Sequence, residues 1–444
     1  MAHYLKTAVI AGLLISPINS YCATAPLSLA DMLDYALANN PELAMMQTRI
    51  EQAQTQLTTT LSSYYPNIKL GVSYQYSDNP AEAFAMIIAQ RRLNFNGMDF
   101  NHPSGVNNFR PQISASYSLF RGGQDYHSNE AAKLGIEATQ LEKSAVRNQL
   151  INSITTTYYA QLAAQAEQEV TLRAIEAVQS ELNQSELKYQ AGTVLKSDVL
   201  SLQVQLAQAK EEQLQAANSI ELAKSLLKTL LGLSANDSLI IKDSLNQALP
   251  KNNVSFTELL NQAITQHPQL KAAEQKVAIA RQQLAAAKGA YLPRADAMLA
   301  YGSNSQDFEF NSNKDNVSVG VQVEVDVFNG FATQAKVKKA EQEVLATQQA
   351  LTQTRLSIEN EVKTAQLKLQ DALNRAEVAS VGVQAAEEAL RLVSEQRKAG
   401  VVTVTRYLEA EVARDKAHNR EINARFDALR AQADVKQAIG AGAQ

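Results

Sequence analysis

No proline interrupts residues 112–249, and none follows Pro293. Proline inside a helix removes a backbone N–H and clashes with the preceding turn, so these two tracts are free to form helices of unusual length. From Gly123 to Ala191 only Gly135 breaks the run, which gives about 70 residues and roughly 100 Å at about 1.5 Å per residue. A matching tract runs from Ala332 to Ala399. Helices of globular proteins rarely pass about 20 residues, so the length points to a coiled or barrel-like bundle. Composition agrees: tryptophan is absent, aromatics are 6%, and long stretches are built from Ala, Gln, Leu, Glu, Lys and Ser. That is helix-forming chemistry with small-residue packing.

The two tracts belong to an internal duplication. Asn39-Asn40-Pro41-Glu42-Leu43 corresponds to Gln266-His267-Pro268-Gln269-Leu270, and Tyr64-Tyr65-Pro66 to Tyr291-Leu292-Pro293. Tyr74 corresponds to Tyr301, Leu119-Phe120-Arg121-Gly122 to Val327-Phe328-Asn329-Gly330, and Tyr189-Gln190-Ala191-Gly192 to the segment Arg397 to Gly400. The order is kept, and the first half carries the longer insertion.

In the second tract Ile358, Val362, Ala365, Leu369, Ala372, Ala376, Ala379, Val383, Ala386, Leu390 and Val393 follow unbroken 4-3 spacing. This is an a/d seam whose alanines permit close helix approach. The corresponding positions of the first tract include Thr157, Gln161, Gln168 and Thr171, which predicts a wetter or shifted seam. Each long helix is expected to end at Gly192 or Gly400, with Ser197 or Thr405 as N-cap of a returning helix over about 198–231 or 406–438. Incoming helices over about 41–64 and 268–290 follow Asn-Pro and His-Pro starts. The pieces read as two shorter helices stacked beside one long one, with small helices expected in the linker between Gly232 and Pro268.

Four segments alternate with period two, as strands do. Ile68, Leu70, Val72, Tyr74 and Tyr76 share one face; Ile113, Ala115, Tyr117 and Leu119 form a second set. Ala295, Ala297, Leu299 and Tyr301 form a third, and Val317 to Val327 a fourth, opposed by Ser318, Gly320, Gln322, Glu324 and Asp326. Each is about 10–12 residues, enough for a tilted strand to cross hydrocarbon. Tyr64, Tyr65, Phe120, Phe328 and Phe331 sit near strand ends, where an interfacial girdle belongs. An ordinary half-buried sheet is the plainer alternative. If lipid is the surroundings, four strands are too few to close a barrel, and an open edge leaves backbone groups unpaired. Other copies must then complete it: two would supply eight strands and three twelve, and spacing does not choose.

Residues 1–23 read as a secretory signal, with Lys6 before the apolar run Thr7 to Ile15. That run is too short to span a membrane, and no later apolar segment is a candidate. The single cysteine, Cys22, excludes an intrachain disulfide. The net charge of -4 and the lack of a Lys/Arg block give no reason to expect a nucleic-acid partner. His3, His102, His127, His267 and His418 are scattered without metal-ligand spacing, and His267, before Pro268, reads as a turn residue. Arg121-Gly122-Gly123 and Phe328-Asn329-Gly330 lack a phosphate-loop fingerprint and read as backbone swivels. Neither cofactor nor catalytic constellation is expected, so the chain is not read as an enzyme.

The segment Leu29 to Leu43, the Tyr-Tyr-Pro and Tyr-Leu-Pro strand entries, the glycine-containing exits and the duplicated Ala-Gly tips resemble the TolC-like outer-membrane efflux and secretion channels, over essentially the whole mature chain. The resemblance implies a mainly α protein with a β-barrel part, each duplicated unit contributing two strands plus long coiled helices. It implies a homotrimer closing a twelve-strand transmembrane barrel on a periplasmic α-helical barrel. The corresponding divisions are a signal peptide (1–23), periplasmic helices (24–65), a transmembrane strand pair with extracellular loop (66–121) and a helical hairpin (122–231). An equatorial linker (232–267), a periplasmic helix (268–291), the second strand pair (292–328), the second hairpin (329–439) and a tail (440–444) follow. Residues 78–108 and 302–316 are the expected outward loops.

The implied function is passage from periplasm to exterior within a tripartite efflux pump or type I secretion system. The implied partners are a periplasmic adaptor (membrane fusion) protein, an inner-membrane transporter and outer-membrane lipid. In the family, acidic residues just after the tips ring a closed periplasmic aperture. Asp198 stands at one matching position; the second half has Val402, Arg406 and Glu409 where the family shows Arg and two acids, and Arg397 where it shows Tyr. A mixed gate is therefore expected, with Arg406 pairing Glu409 or Asp198; surface charges near a helix start are the plainer alternative. Gly192, Thr193, Gly400 and Val401 match adaptor-docking tips. Glu324 and Asp326 read as lumenal charges or as solvated sheet-face charges. Cys22 matches the lipidation site of some relatives, although Tyr21 is bulky for that processing; otherwise it is lost with, or left beside, the signal. The alternative class is a soluble periplasmic coiled-coil scaffold or adaptor.

Overall fold

The computed structural model describes residues 26–97, 99, 101–242, 248–250, 254–309 and 311–442; the signal segment and Cys22 lie outside them. Helices α1 (Leu29–Asn39) and α2 (Pro41–Leu61) lead into β1 (Asn67–Ser77). Helix α3 (Pro80–Ala89) lies between β1 and β2 (Val106–Arg121), which passes into α4 (Gln124–Gln190) and α5 (Lys196–Leu231). The second half repeats the order: α6 (Phe256–Gln266), α7 (Pro268–Gly289), β3 (Arg294–Ser303), β4 (Asp315–Glu324), α8 (Ala332–Lys398) and α9 (Val404–Ala438).

The proline-free tracts are continuous helices, and α4 and α8 are each 67 residues long. Both end in the same hydrogen-bonded exit. Gly192 N–H donates to Tyr189 O and Thr193 N–H to Lys188 O, while Gly400 N–H donates to Arg397 O and Val401 N–H to Gln396 O. The glycines have φ near +75°, a conformation that costs a Cβ-bearing residue. Each returning helix begins two residues earlier than Ser197 or Thr405 suggested. Leu195 occupies the first N-cap position without a side-chain bond, whereas Thr403 caps α9 by accepting from Arg406 N–H.

The stacked short helices are real in both repeats. Asn40 caps α2, accepting from Glu42 and Leu43 N–H, and its Nδ2 donates to Leu230 O at the end of α5. In the second repeat His267 Nδ1 accepts from Gln269 N–H, and Gly440 at the end of α9 lies against it. A Cβ on Gly440 would stand 2.6 Å from His267 Cα. His267 is thus a helix cap, and burial lowers its pKa. The duplication also reaches upstream: Ser28 and Ser255, with equal separation from these caps, start the eleven-residue helices α1 and α6.

Eight of the eleven seam residues on α8 are buried and the other three are half-buried. Ile358, Val362 and Ala365 join Leu259, Ala263 and Leu270 in one cluster. Its counterpart gathers Met32, Ile154, Tyr158, Leu162, Leu227, Leu231 and Phe426. A third cluster lies toward the tips, from Val178, Leu182, Val199, Leu202, Leu206, Val404 and Leu408. The first-repeat seam buries polar side chains, as its sequence implies. Thr157 and Thr171 are buried, and Gln161 is fully enclosed with no protein partner for either amide atom among the described residues.

The four strands form one antiparallel sheet in the order β1-β2-β3-β4. Two expectations are corrected. Strand β2 starts at Val106, well before Gln112, although it contains Pro111. Proline has no ladder donor, and the regular β2–β3 pairing stops at Gln112–Gly302 before a Phe109–Ser305 bridge resumes it. Strand β4 ends at Glu324 rather than Val327, because its partner β3 starts only at Arg294, after Pro293. Val325 to Val327 keep the alternation but have no strand beside them.

Candidate functional site

Alternation and register together give the sheet two opposed surfaces. Ile68, Ala115, Leu299 and Val319 stand side by side across all four strands, as do Leu70, Ile113, Tyr301 and Val317. This face is apolar from edge to edge yet exposed, with Leu70 at 82% and Val319 at 76% accessibility. Water would penalise such a face at about 25 cal/mol per Å², and a patch of this continuity marks contact with lipid or protein. The other face carries Lys69, Ser114, Ala300 and Ser318 in one row and Asn67, Ser116, Met298 and Gly320 in the next. A register shift between Ser118 and Phe120 sets Phe120 opposite Ala295, on the apolar side, and Arg121 opposite Arg294. Leu119, the residue simple alternation assigns to that side, is the extra residue of the bulge.

The two acids assigned to the polar face are not equivalent. Glu324 ends β4 and is neutralised by Arg294, whose Nη2 is 2.6 Å from Oε2 and whose Nε also approaches Asp296. Asp326 lies beyond the strand. Of the two, one charge is thus paired and the other stands at the strand-to-helix junction.

At the opposite end of the molecule the hairpin tips are exposed and partly apolar. Gly192, Thr193 and Gly400 are exposed, Val401 is 75% accessible, and Leu187 and Leu195 flank the first tip in the open. Thr193 Oγ1 donates to Lys188 O, closing the turn. Asp198 sits half-buried in the first turn of α5. Arg406 pairs with Glu409 within α9, at 3.1 Å, and both are exposed.

A largely buried ion pair near the tips escaped the sequence reading. Arg397, at the end of α8, donates to Glu181 of α4 with Nη2–Oε1 of 3.0 Å, and the side chains are only 14% and 13% exposed. It joins the second repeat's long helix to the first's. Beyond it Tyr407 donates to Glu411 at 2.7 Å, and Arg414 lies 2.8 Å from Glu411 and 2.7 Å from Asp415. His418 Nε2 stands 3.1 Å from Glu387. Burial, and then the bond to Glu411, pushes the Tyr407 hydroxyl pKa well up, and burial also raises that of Asp415. The signal available was the departure at Arg397 itself; its partner, 216 positions away, had none.

Among the described residues no group of three His, Cys, Asp or Glu side chains converges as metal ligands, and no helix is long and apolar enough to cross a membrane. What the architecture offers instead is a two-faced sheet at one end and paired helical tips at the other, about 100 Å away at about 1.5 Å per helical residue.

This architecture has known counterparts. The family model for outer membrane efflux proteins matches residues 32–233 and 259–441. The outer membrane protein TolC of Vibrio cholerae is 22% identical over 418 residues, 93% of this chain and 90% of that protein. Protein CyaE of Bordetella pertussis is 24% identical over 333 residues, 74% of this chain; the aligned part spans 66% of CyaE. Among solved structures, the Campylobacter jejuni CmeC outer membrane channel superposes with a TM-score of 0.82 at 19% identity, covering 93% of this chain and 86% of that one. Since the matched ranges cover nearly all of both repeats, the chain belongs to the outer membrane efflux protein family.

Proposed function

We propose that three copies of the chain form an outer-membrane duct that carries cargo from the periplasm to the exterior. In this reading the four-strand sheets join edge to edge into a twelve-strand barrel, and the long helices continue it as a tube into the periplasm. The observation that carries it is the sheet: its apolar face is exposed across all four strands, and β1 and β4 are its two edges. A bilayer accepts such a face only when every backbone group is paired, and identical neighbours supply that pairing. A soluble scaffold gives the apolar face no role, and family membership disfavours it as well.

Cargo passage through such a duct is passive, so an inner-membrane transporter reached through a periplasmic adaptor supplies the energy. The tips at Gly192, Thr193, Gly400 and Val401 are the proposed adaptor contacts. The aperture lies just above them, where Asp198, Arg406 and Glu409 contribute ring charges repeated by symmetry. The Arg406–Glu409 pair makes that ring mixed rather than purely acidic. Arg397–Glu181 holds the two hairpins of one copy together when the aperture is shut. At the membrane end Glu324, paired with Arg294, and Asp326 are assigned to the water-filled side.

Fractionation tests the assembly. The expected result is extraction only with detergent, and trimers that migrate intact when cold and dissociate on heating. A monomer released with the periplasmic contents overturns it. Single-channel recording tests the aperture: Asp198→Ala and Arg406→Ala are expected to change leak or ion selectivity, and unchanged traces for both remove the gate assignment.

A further inference from the structure

Helix α3 belongs to neither repeat, since the shorter β3–β4 connection has no counterpart to it. Its position follows from parity along β2. Val106 and Asn108 fall on the same face as Arg110, Gln112 and Ser114, the polar one. Val106 is buried against Ala83 and Met86 of α3. Gln90, the fully buried C-cap residue of α3, donates Nε2 to Asn107 O at 2.7 Å and Asn108 Oδ1 at 3.1 Å. Asn108 in turn donates to Asn304, just beyond β3. Arg91 then reaches β4, donating Nη2 to Asp315 O at 2.8 Å. Helix α3 is therefore strapped across the polar face of the sheet, at the end farthest from the long helices.

The strap is held at a cost. Arg91 adopts φ +55°, and Arg92 N–H donates to Ile87 O, the exit geometry that glycine serves at both hairpin tips. An arginine there adds a side chain that bridges to the far strand. Beyond the strap, α3 has a second apolar face. Ala83, Met86 and Gln90 turn to the sheet, while Ala81, Ala85 and Ile88 are exposed, Ile88 at 47%.

We infer that the α3 helices of three copies meet through Ala81, Ala85 and Ile88 and close the outer mouth of the duct. The inference rests on the three-copy barrel proposed above. Twelve strands about 4.8 Å apart and tilted about 40° enclose a ring about 24 Å across between backbones. Three helices each about 10 Å wide need a circle of about 22 Å, and with the strands' inward side chains sharing that ring they leave no open passage between them. Inside a water-filled barrel, only its symmetry mates offer this apolar face a dry surface. Small Ala81 and Ala85 permit close approach, and Ile88 supplies the contact. Exit of cargo then requires α3 to swing away from Asn107, Asn108 and Asp315, so the duct has a closure at its outer end as well as at the tips.

Disulfide trapping in whole cells tests this, because Cys22 is the only native cysteine. Ile88→Cys and Ala85→Cys are each expected to yield covalently linked pairs of chains under mild oxidation, since bridging needs Cα atoms within about 7 Å. Val319→Cys, on the opposite face, should not link. Adding Gln90→Ala and Arg91→Ala to Ile88→Cys is expected to reduce the linked fraction severalfold. Intact heat-dissociable trimers without linked pairs at either position overturn the closure alone. Labelling of Ile88→Cys by a lipid-soluble maleimide, with no linked pairs, places α3 against lipid and likewise overturns it. Absence of trimers in the unmodified protein overturns the duct itself, and is read from the same gels.

Discussion

The two repeats follow one plan and part company where strand becomes helix. In the first, Gly122 and Gly123 both take left-handed conformations, at φ +62° and +79°. Gly122 lies so close to the end of α7 that a Cβ would stand 2.1 Å from Gly289 O. In the second, Gly330 has open space around it, and the next left-handed position, Phe331 at φ +67°, is an aromatic residue. The first junction is locked by backbone-to-backbone packing. The second is loose and tolerates a strained phenylalanine, whose ring meets Phe328 edge-on with centroids 5.4 Å apart. The seams differ in the opposite sense: the second repeat's long helix has an apolar, regular seam, while the first's is interrupted by buried polar residues. Rigidity is thus placed at the sheet end of one repeat and along the helix of the other.

The largest expected effect breaks the junction contrast. Gly122→Val should abolish heat-dissociable trimers, because backbone atoms cannot yield 1 Å or more; Gly330→Ala should leave trimer yield near normal, losing about 1 kcal/mol to φ strain. Equal sensitivity at both sites would erase the distinction. Next comes the tie between repeats. Arg397→Ala strands a mostly buried Glu181 and should cost about 3–5 kcal/mol locally, read as increased single-channel conductance. The double variant with Glu181→Ala should be milder than Arg397→Ala alone. The seams follow: Ile358→Ala should lower stability by about 3 kcal/mol, whereas Gln161→Leu should raise it by about 1 kcal/mol by removing an unpaired buried amide. Thermal unfolding in detergent measures both. The smallest effect separates the hairpin starts. Thr403→Ala should cost about 1 kcal/mol as a lost cap, and Ser197→Ala, inside its helix, less than about 0.5 kcal/mol.

Much of this could be read before any coordinates, because the decisive signals are local and periodic. Missing prolines exposed the 67-residue helices, 4-3 spacing located the α8 seam, and alternation found the apolar side of every strand. Apart from the starts of α5 and α9, each misplaced by two residues, the errors depend on a partner distant in the chain. Val325 and Val327 alternate as a strand should, but their partner β3 begins only at Arg294, opposite Glu324. Residues 106–111 look unlike a strand, holding two asparagines and Pro111, yet β1 pairs with them as far as Ser77–Val106. The bulge at Leu119 shifts which residue faces outward, and nothing in alternation announces it. Arg397 was visible as a departure; that it meets Glu181 depends on how two helices lie together.

The equal lengths of α4 and α8 have a consequence for how such a molecule can change size. Inserting seven residues into one of them would advance its end by about 10 Å and nearly preserve the phase of its packing stripe. The other would not follow, and the two exits would stand at different heights. Reach and level are therefore coupled: the pair can be lengthened or shortened only in matched steps, and a change made on one side alone should show itself as a lopsided rim before it shows itself as a failure to fold.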